Sequence, residues 1–562
     1  MSDHATPETS TREELARLVR SIPDSPISRR EFARRAAALG LSSALAATIF
    51  TTYRARPAIA APTDRTAAHV RREQDGAATP TPGGTMRFAR AEDSTNFDPI
   101  SLPLNVDIWI VTSVYEQLVR VASNGVDLEP GLAESWEMSA DGLTYTFHLR
   151  PGVKFSDGSD LNASDVKYSL DRARNDPSKV WSFTLVAVKE IATPDDATVV
   201  ITLNQPWAPF LADIAMFNAS VVPEAWASGN EARLATEMLG TGPFTLAEWK
   251  KEEYLLLKKN PHYWEEGVPL LDEIRVAKVP DDNNRILQLQ AGEIDAMYDV
   301  PFSRVADLEG DDNLRVLKFP SSFTQYVILN HKVEPLDDVN VRLALNYATD
   351  RQAIIDVVLF GNGDPANTFM PKDMLYWNDQ LPGYPFDLEK AKEYLAKSKV
   401  PNGFEIDLAL LGGVVEFEQL GATLKDMWSQ IGVTVNLSPL EQGVYYAVWM
   451  EETYQAHILY WTNDIVDPDQ VATTAIVPEG QNAFHTSWRN QEAVDLVVSG
   501  RSEQDPEKRK GIYFRVQEIY NLEAPVVLVY YKPLLNAVSR KVHDFEQPPT
   551  GQWNWKRTWI EQ

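Results

Sequence analysis

Residues 143–158 read LTYTFHLRPGVKFSDG, and the pattern inside them sets the class of the fold. Leu143, Tyr145, Phe147 and Leu149 alternate with Thr144, Thr146, His148 and Arg150. An apolar period of two predicts a strand with one face buried and one face wet. Pro151 and Gly152 then turn the chain, VKF is predicted to return it as a second strand, and Asp157-Gly158 supplies another turn. The following stretch, LNASDVKYSLDRA at 161–173, changes period: Val166, Leu170 and Ala173 recur at helical spacing behind Asn162 or Ser164, either of which can cap the first free amides. Strand, turn and helix within thirty residues predict a mixed α/β architecture.

The same alternation of elements continues outward. TMRFAR at 85–90, ATVVITL at 197–203 and YLLLKKN at 254–260 carry strand character. The stretch NVRLALNYATDRQAIIDVVLFG at 340–361 places Val341, Leu345 and Ala348 on one helical face. It breaks at Thr349-Asp350 and resumes with Ile354, Ile355 and Val358 before Gly361, so Asp350 is the predicted N-cap and Gly361 the predicted stop. Helical patterns in LEKAKEYLAKS, FEQLGATLKDMWSQIG and KRKGIYFRVQEIYNLEA are separated by strand patterns in FEIDLAL, VTVNLS, HILYW and PVVLVYY. No repeat of 20–50 residues is present, which disfavours solenoids and propellers. The expectation is an α/β protein of several lobes.

Composition narrows the partners. With 562 residues the chain exceeds one ordinary core, so two or three domains are expected. A net charge of −27 argues against nucleic acid, whose phosphates reward lysine and arginine. The chain has no cysteine, which excludes disulfides, thiolate metal sites, catalytic thiols and a lipidated N-terminal cysteine.

The first sixty residues point to export. In SRREFARRAAALGLSSALAATIF, Arg29 and Arg30 precede an apolar run from Ala36 to Phe50, and Ala58 and Ala60 are small residues suited to cleavage. This resembles a twin-arginine export signal, with the translocation machinery as its partner. The run is Ala- and Ser-rich and shorter than the roughly twenty residues a bilayer requires. Residues 61–83, rich in Ala, Thr, Pro and Gly without apolar periodicity, are predicted to be a flexible linker.

Catalytic signatures are missing where they would be easiest to see. There is no G-x-S-x-G, no H-E-x-x-H, no phosphate-binding GxxxxGK[ST] and no G-x-G-x-x-G. The eight histidines include no pair at ligand spacing on one helix. GTGPF at 240–244 reads as a tight glycine turn. A carboxylate pair for glycoside hydrolysis is set by the fold and cannot be read from spacing. Of the fifteen tryptophans, any single one, including Trp109, Trp377 or Trp449, is expected in a core before it is expected on a ligand.

WTNDIVDPDQ at 461–470 places Asp464, Asp467 and Asp469 within six residues, directly after an aromatic-rich apolar run. Metal ligands, turn formers and an anchor for a cation all fit that pattern. Calcium fits least, because the glycine and distal glutamate of an EF-hand loop are absent. His457, four residues before Trp461, alternates like a strand residue in AHILYW.

Several ordered segments together resemble a known family. They are NFDPISLPLNVDIWIVTSVYEQLV, then LEPGLAESWEMSADGLTYTFHLRPGVKFSDGSDLNASDVKYSLDRA, then GTGPFTLAEWKKEEYLLLKKNPHYWEEGVPLLDEIRVAKVPDDNNRILQLQAGEIDAMYDVP, then VILNHKVEPLDDVNVRLALNYATDRQAIIDVVLFGNG, and finally WTNDIVDPDQ. From Gly84 to the C-terminus the chain resembles the extracytoplasmic substrate-binding proteins of ABC importers, in the family of oligopeptide-, dipeptide- and nickel-binding proteins. The resemblance implies a two-lobed periplasmic-binding-protein-like fold with a subdomain inserted in the first lobe. The first lobe is expected at 84–128, 239–321 and 533–562, its insertion at 129–238 and the second lobe at 322–532, after an export signal at 1–60.

The resemblance also implies a role for the opening aspartate of WTNDIVDPDQ. In peptide-binding members a W-x-x-D motif before a D-P turn places an aspartate against the peptide α-ammonium, and Trp461, Asp464 and the 467–468 turn match those positions. Burying an ammonium demands a carboxylate partner, so Asp464 is the expected amine anchor. Tyr460 and Thr462 would offer backbone groups to the ligand as a strand edge does. Asn105 and Asp107, in the segment resembling the loop at the cleft floor, are further expected contacts, whereas Asp467 and Asp469 are expected to be turn and surface residues. The implied protein is a monomeric solute receptor that passes a short peptide or other amine-bearing solute to a membrane ABC permease, in the periplasm or at the outer face of the cytoplasmic membrane. No catalysis, cofactor or metal is expected. A sugar, opine or metal-chelate binder of the same fold, a secreted hydrolase and a sensor of a signalling partner are the alternatives.

Overall fold

The computed structural model describes residues 79–102, 104–175, 181–478 and 482–561, together with Arg34. The export motif with Arg29, Arg30, Ala58 and Ala60, and all but the last residues of the expected linker, lie outside the described residues. The described chain forms two compact units: residues 79–332, 362–383 and 459–561 in the larger, Val333–Gly361 and Tyr384–Ile458 in the smaller. Among the described residues no helix is long and apolar enough to cross a membrane.

The alternating stretch at 143–158 lies in the larger unit, in a four-stranded antiparallel sheet ordered Ala133–Met138, Thr144–Leu149, Thr198–Leu203, Val188–Asp195. Tyr145 opposes Ile201 and Phe147 opposes Val199, all four buried, so the period of two is the core face of the sheet. Helix Ala163–Arg174 packs on this core through Val166, Leu170 and Ala173. Asn162 is its cap: the side chain accepts from Ser164 N, and Asp165 bonds back to the Asn162 amide to complete a capping box.

The expected return strand at VKF does not form. Lys154 makes only an isolated bridge to Asp160, and Phe155 N bonds to Ser159 O at 2.8 Å. Thr144–Leu149 already has both edges occupied, by Ala133–Met138 and by Thr198–Leu203. Val153 and Phe155 instead insert their side chains into the core beneath the sheet.

The larger unit also holds a seven-stranded sheet. Its order is Leu314–Phe319, Leu534–Ser539, Ala296–Tyr298, Thr85–Arg90, Glu273–Lys278, Tyr254–Lys259, Phe244–Lys250. Thr85–Arg90 runs parallel to both of its neighbours, and the other pairings are antiparallel. Phe88 meets the edges of Trp553 and Trp555 at 4.8 and 5.3 Å, and the two indoles stack on each other at 5.3 Å. The expectation of core tryptophans holds for Trp109, which is buried and touches Trp553 at 5.4 Å. The glycines of GTGPF serve close packing: a Cβ on Gly240 would lie 2.1 Å from the Val114 carbonyl oxygen.

Strands Thr324–Leu329 and Val526–Tyr531 pair antiparallel in the same unit, and every residue of both is buried. Burial on both faces is why PVVLVYY reads as a continuous apolar run. Three helices accompany them: α1 (Asp469–Ile476), α2 (Gln491–Ser502) and α3 (Pro506–Glu523).

In the smaller unit Glu405–Leu411 runs parallel to Thr434–Leu440 and to the start of Ala456–Trp461. Helices Val339–Tyr347, Arg351–Val358, Leu388–Ala396, Val415–Ser429 and Gln442–Met450 complete it. Asp350 caps Arg351–Val358 by accepting from Ala353 N at 3.1 Å, and Gly361 takes the positive φ of 78° expected of a helix stop.

Candidate functional site

Strand Ala456–Trp461 is buried until Leu459 and then surfaces. Tyr460 is 39% exposed, with its ring stacked 4.7 Å from Phe323. The Lys532 ammonium sits 4.2 Å from the centre of that Phe323 ring. Trp461 is half-buried against Phe484 at 5.6 Å, and its indole N–H donates to Asn463 Oδ1 at 3.0 Å. Thr462 is also half-buried. Ser322 fixes the segment's path, because its hydroxyl accepts from Asn463 N and donates to Asn463 O, both at 2.9 Å.

Asp464 follows, half-buried. Gln470, on the first turn of α1, clamps it from two sides. The Gln470 Oε1 accepts from Asp464 N at 2.8 Å and from Ile465 N at 3.0 Å, while its amide donates to Asp464 Oδ2 at 3.2 Å. Burial pushes the Asp464 carboxyl up to about 6, and the Gln470 bond offsets only part of that rise. Among the described residues no basic side chain pairs with it. A fixed carboxylate, partly desolvated and lacking a cation, is suited to receive one.

The next two aspartates overturn part of the sequence reading. Asp467 does form the expected turn, since its Oδ1 accepts from Asp469 N at 2.8 Å. It is not a surface residue: only 5% exposed, it takes a two-pronged ion pair from Arg509 on α3 at 2.6 and 2.7 Å. Burial works to lower the Arg509 guanidinium, and Asp467 overrides it, holding Arg509 above its ordinary value. Asp469 is likewise paired, accepting from Arg501 Nε at 3.0 Å at the end of α2. A turn aspartate can be buried here because α2 and α3 bring a guanidinium to each carboxylate.

Asn105 and Asp107 belong to a different element, helix Asn105–Val111. Asn105 is half-buried. Asp107 is fully buried, and its two oxygens accept from Thr95 N and Thr95 Oγ1, each at 2.7 Å. Tyr460, Trp461, Thr462 and Asp464 therefore form one continuous segment, while Asp107 fastens a loop to its own helix.

His457 is fully buried, with Nε2 3.2 Å from Tyr445 O and Nδ1 3.0 Å from Ile458 O. Burial pushes it down to about 4, so it is a neutral core histidine at physiological pH. Among the described residues no group of three His, Cys, Asp or Glu side chains is arranged to hold a metal ion. Sequence reasoning missed Gln470, Arg501 and Arg509. Only Gln470 left a local trace, as a residue on the first turn of a helix that starts five residues after the aspartate it holds.

Comparison with known proteins places these features in context. A family model described as bacterial extracellular solute-binding proteins, family 5, middle, matches residues 127–482. The chain is 30% identical over 497 residues to the dipeptide-binding protein of Escherichia coli K12, covering 83% of this chain and 91% of that one. Among solved structures it is similar to the periplasmic binding protein DppA of Helicobacter pylori in complex with the peptide STSA, at 28% identity and a TM-score of 0.74, over 86% of this chain and 99% of that one. It is also similar to AgaA from A. tumefacien R10 in complex with agropinic acid, at 28% identity and a TM-score of 0.73, over 85% of this chain and 99% of that one.

Proposed function

The chain belongs to the bacterial extracellular solute-binding proteins of family 5, and on that premise we propose that it captures a short peptide or another solute with a free amine, using Asp464 as the amine anchor. It is a solute-binding receptor of an ABC importer, with the periplasmic-binding-protein fold of its structural relatives. Proteins of this family work outside the cytoplasm, and its relatives are solute-binding proteins rather than enzymes.

The observation that carries the ligand class is the state of Asp464: half-buried, clamped by Gln470, raised to about 6 and beside the exposed Tyr460. An incoming ammonium would restore the interactions that this carboxylate lost on leaving water. Tyr460, Trp461 and Thr462 would offer strand-edge backbone groups, and Asn105 would approach from the cleft floor. Asp107 is assigned the role of holding the start of its helix.

The lobes are proposed at 84–128, 239–321 and 533–562 for the first and 322–532 for the second, with 129–238 inserted. In support, the first three segments supply all seven strands of the large sheet, and the insertion supplies all four of the antiparallel sheet. Closure of such lobes on a ligand is a population shift driven by contacts available only in the closed state. The proposal extends to a monomer exported by the twin-arginine machinery through Arg29 and Arg30, with cleavage after Ala60.

Native mass spectrometry of residues 61–562 tests the ligand class. A peptide adduct carried through purification is the expected result, and Asp464→Ala should then lose it. The likeness to the agropinic acid complex favours a second reading, an opine ligand with no need of the anchor. N-acetylation separates the two: it should abolish binding of a peptide held at Asp464 and leave an opine-type site unaffected.

A further inference from the structure

Resting on the lobe boundaries proposed above, which divide the larger compact unit, we propose that the Trp207–Asp213 turn of the inserted subdomain and the Asp469–Arg501 pair of the second lobe, both within that unit in this structure, form a latch, made when the cleft closes and broken when it opens. The turn follows the last strand of the four-stranded sheet, and α1, α2 and α3 lie some 260–310 residues further along the chain. Even so, the two meet through backbone and side chain together. Ala208 N donates to Arg501 O at 2.6 Å, and the Arg501 guanidinium lies over the Trp207 ring, 5.4 Å from its centre. The same guanidinium donates to Asp469 Oδ1 at 3.0 Å and to Thr473 Oγ1 at 2.6 Å, so it is held from behind while it covers the indole.

The contact is buried, with Trp207 7% and Asp213 4% exposed. Trp207 Nε1 donates to Asp213 Oδ2 at 2.8 Å, aiming a third carboxylate at the cluster that Asp467 and Asp469 already occupy. Arg501 and Arg509 are the guanidiniums of this cluster, with the Tyr513 hydroxyl beside them, so three carboxylates share two cations. Arg509 is itself fastened through Nε to Gly500 O at 2.8 Å, which ties α3 to α2 behind the latch. Among the described residues Asp213 is the one of the three carboxylates with no ion pair of its own, Arg509 acting on it only from a distance. Burial raises it well above its ordinary range, Trp207 offsets part of this, and Asp467 and Asp469 add to it.

A latch of this kind has two consequences. It contributes closing free energy through contacts other than those of the Asp464 carboxylate, so it biases the open and closed populations whichever ligand is bound. It also couples closure to one proton. Separated from the cluster, Asp213 loses part of the burial and like-charge contact that raise it, so opening favours its ionised form and the closed population falls as pH rises.

The chain has no cysteine, so spin labels on Glu190→Cys in the subdomain sheet and Asp495→Cys on α2, both exposed, report the separation without a ligand. Double electron–electron resonance should show a short-distance population that Arg501→Ala shrinks severalfold. Asp213→Asn, which keeps an acceptor for the Trp207 N–H, should preserve that population and remove its decline with rising pH. A distribution unmoved by Arg501→Ala would overturn the latch, and a pH response that survives Asp213→Asn would overturn the proton coupling. Failure of the amine-anchor reading leaves these distances unchanged, since no ligand enters the measurement.

Discussion

Asp464 can receive an ammonium only while ionised, and that makes affinity a function of pH. With its carboxyl raised to about 6 in the free receptor, roughly nine in ten molecules carry the proton at pH 5. Affinity for an amine ligand should therefore fall about tenfold between pH 7 and pH 5, with proton release on binding at the lower value. Isothermal titration in two buffers of different ionisation enthalpy measures both quantities, and a flat profile would remove Asp464 from the contact. Three residues on, Asp467 is covered only because Arg509 meets it at 2.6 Å. Arg509→Met would strand a buried carboxylate, and a loss of about 3–5 kcal/mol is expected in urea unfolding. Adding Asp467→Asn should recover part of that loss, since neither charge then remains. The contrast between these two aspartates shows what is readable in sequence at this scale. The turn geometry of Asp467 is local, written in the D-P pair that follows the strand. Its partner lies 42 positions away on another helix, and no spacing rule connects the two.

Elements were legible where their neighbours are local or their pattern is strong. Helix Ala163–Arg174 and helix Arg351–Val358 start where their caps predicted, because an N-cap satisfies amides two or three residues ahead of it. The missing strand at Val153–Phe155 failed for the opposite reason. A hairpin reading assumes that adjacent segments pair, but Thr198–Leu203 takes that edge from fifty residues downstream. Sequence alone records that Val153 and Phe155 are apolar, and both a strand and a buried loop satisfy that requirement. The GTGPF segment reads as a tight glycine turn, but neither Gly240 nor Gly242 takes a positive φ, and their glycine requirement lies in proximity to another backbone. Gly240→Ala should push a methyl group into the Val114 carbonyl, which has no rotamer to escape through. The expected destabilisation is about 1–3 kcal/mol in chemical denaturation. An unchanged midpoint would mean that the Val114 segment yields freely.

At the scale of the whole molecule the anchor should weigh against stability, and this gives the ligand site a signature in the absence of ligand. Asp464 binds its proton more tightly in the folded chain than in the unfolded one, where an aspartate titrates near its ordinary value of about 3.9. Between that value and about 6 the native state holds more protons, so unfolding releases them and stability falls as pH rises through the window. Above pH 6 the penalty is fully present, and below pH 4 it is absent. Asp464→Asn keeps an oxygen for the Gln470 amide and removes the charge. Its melting temperature should exceed that of the wild type at pH 7.5 and match it at pH 4. Ligand reverses the ranking: a hundredfold excess over Kd adds about 2.7 kcal/mol to a receptor that binds it, and nothing to one that has lost its anchor. A variant more stable when empty and unresponsive when ligand is added would mark Asp464 as a residue kept for binding at the expense of the fold. Equal melting curves at both pH values would instead mean that water reaches the carboxylate freely, and the amine would then have to be held elsewhere.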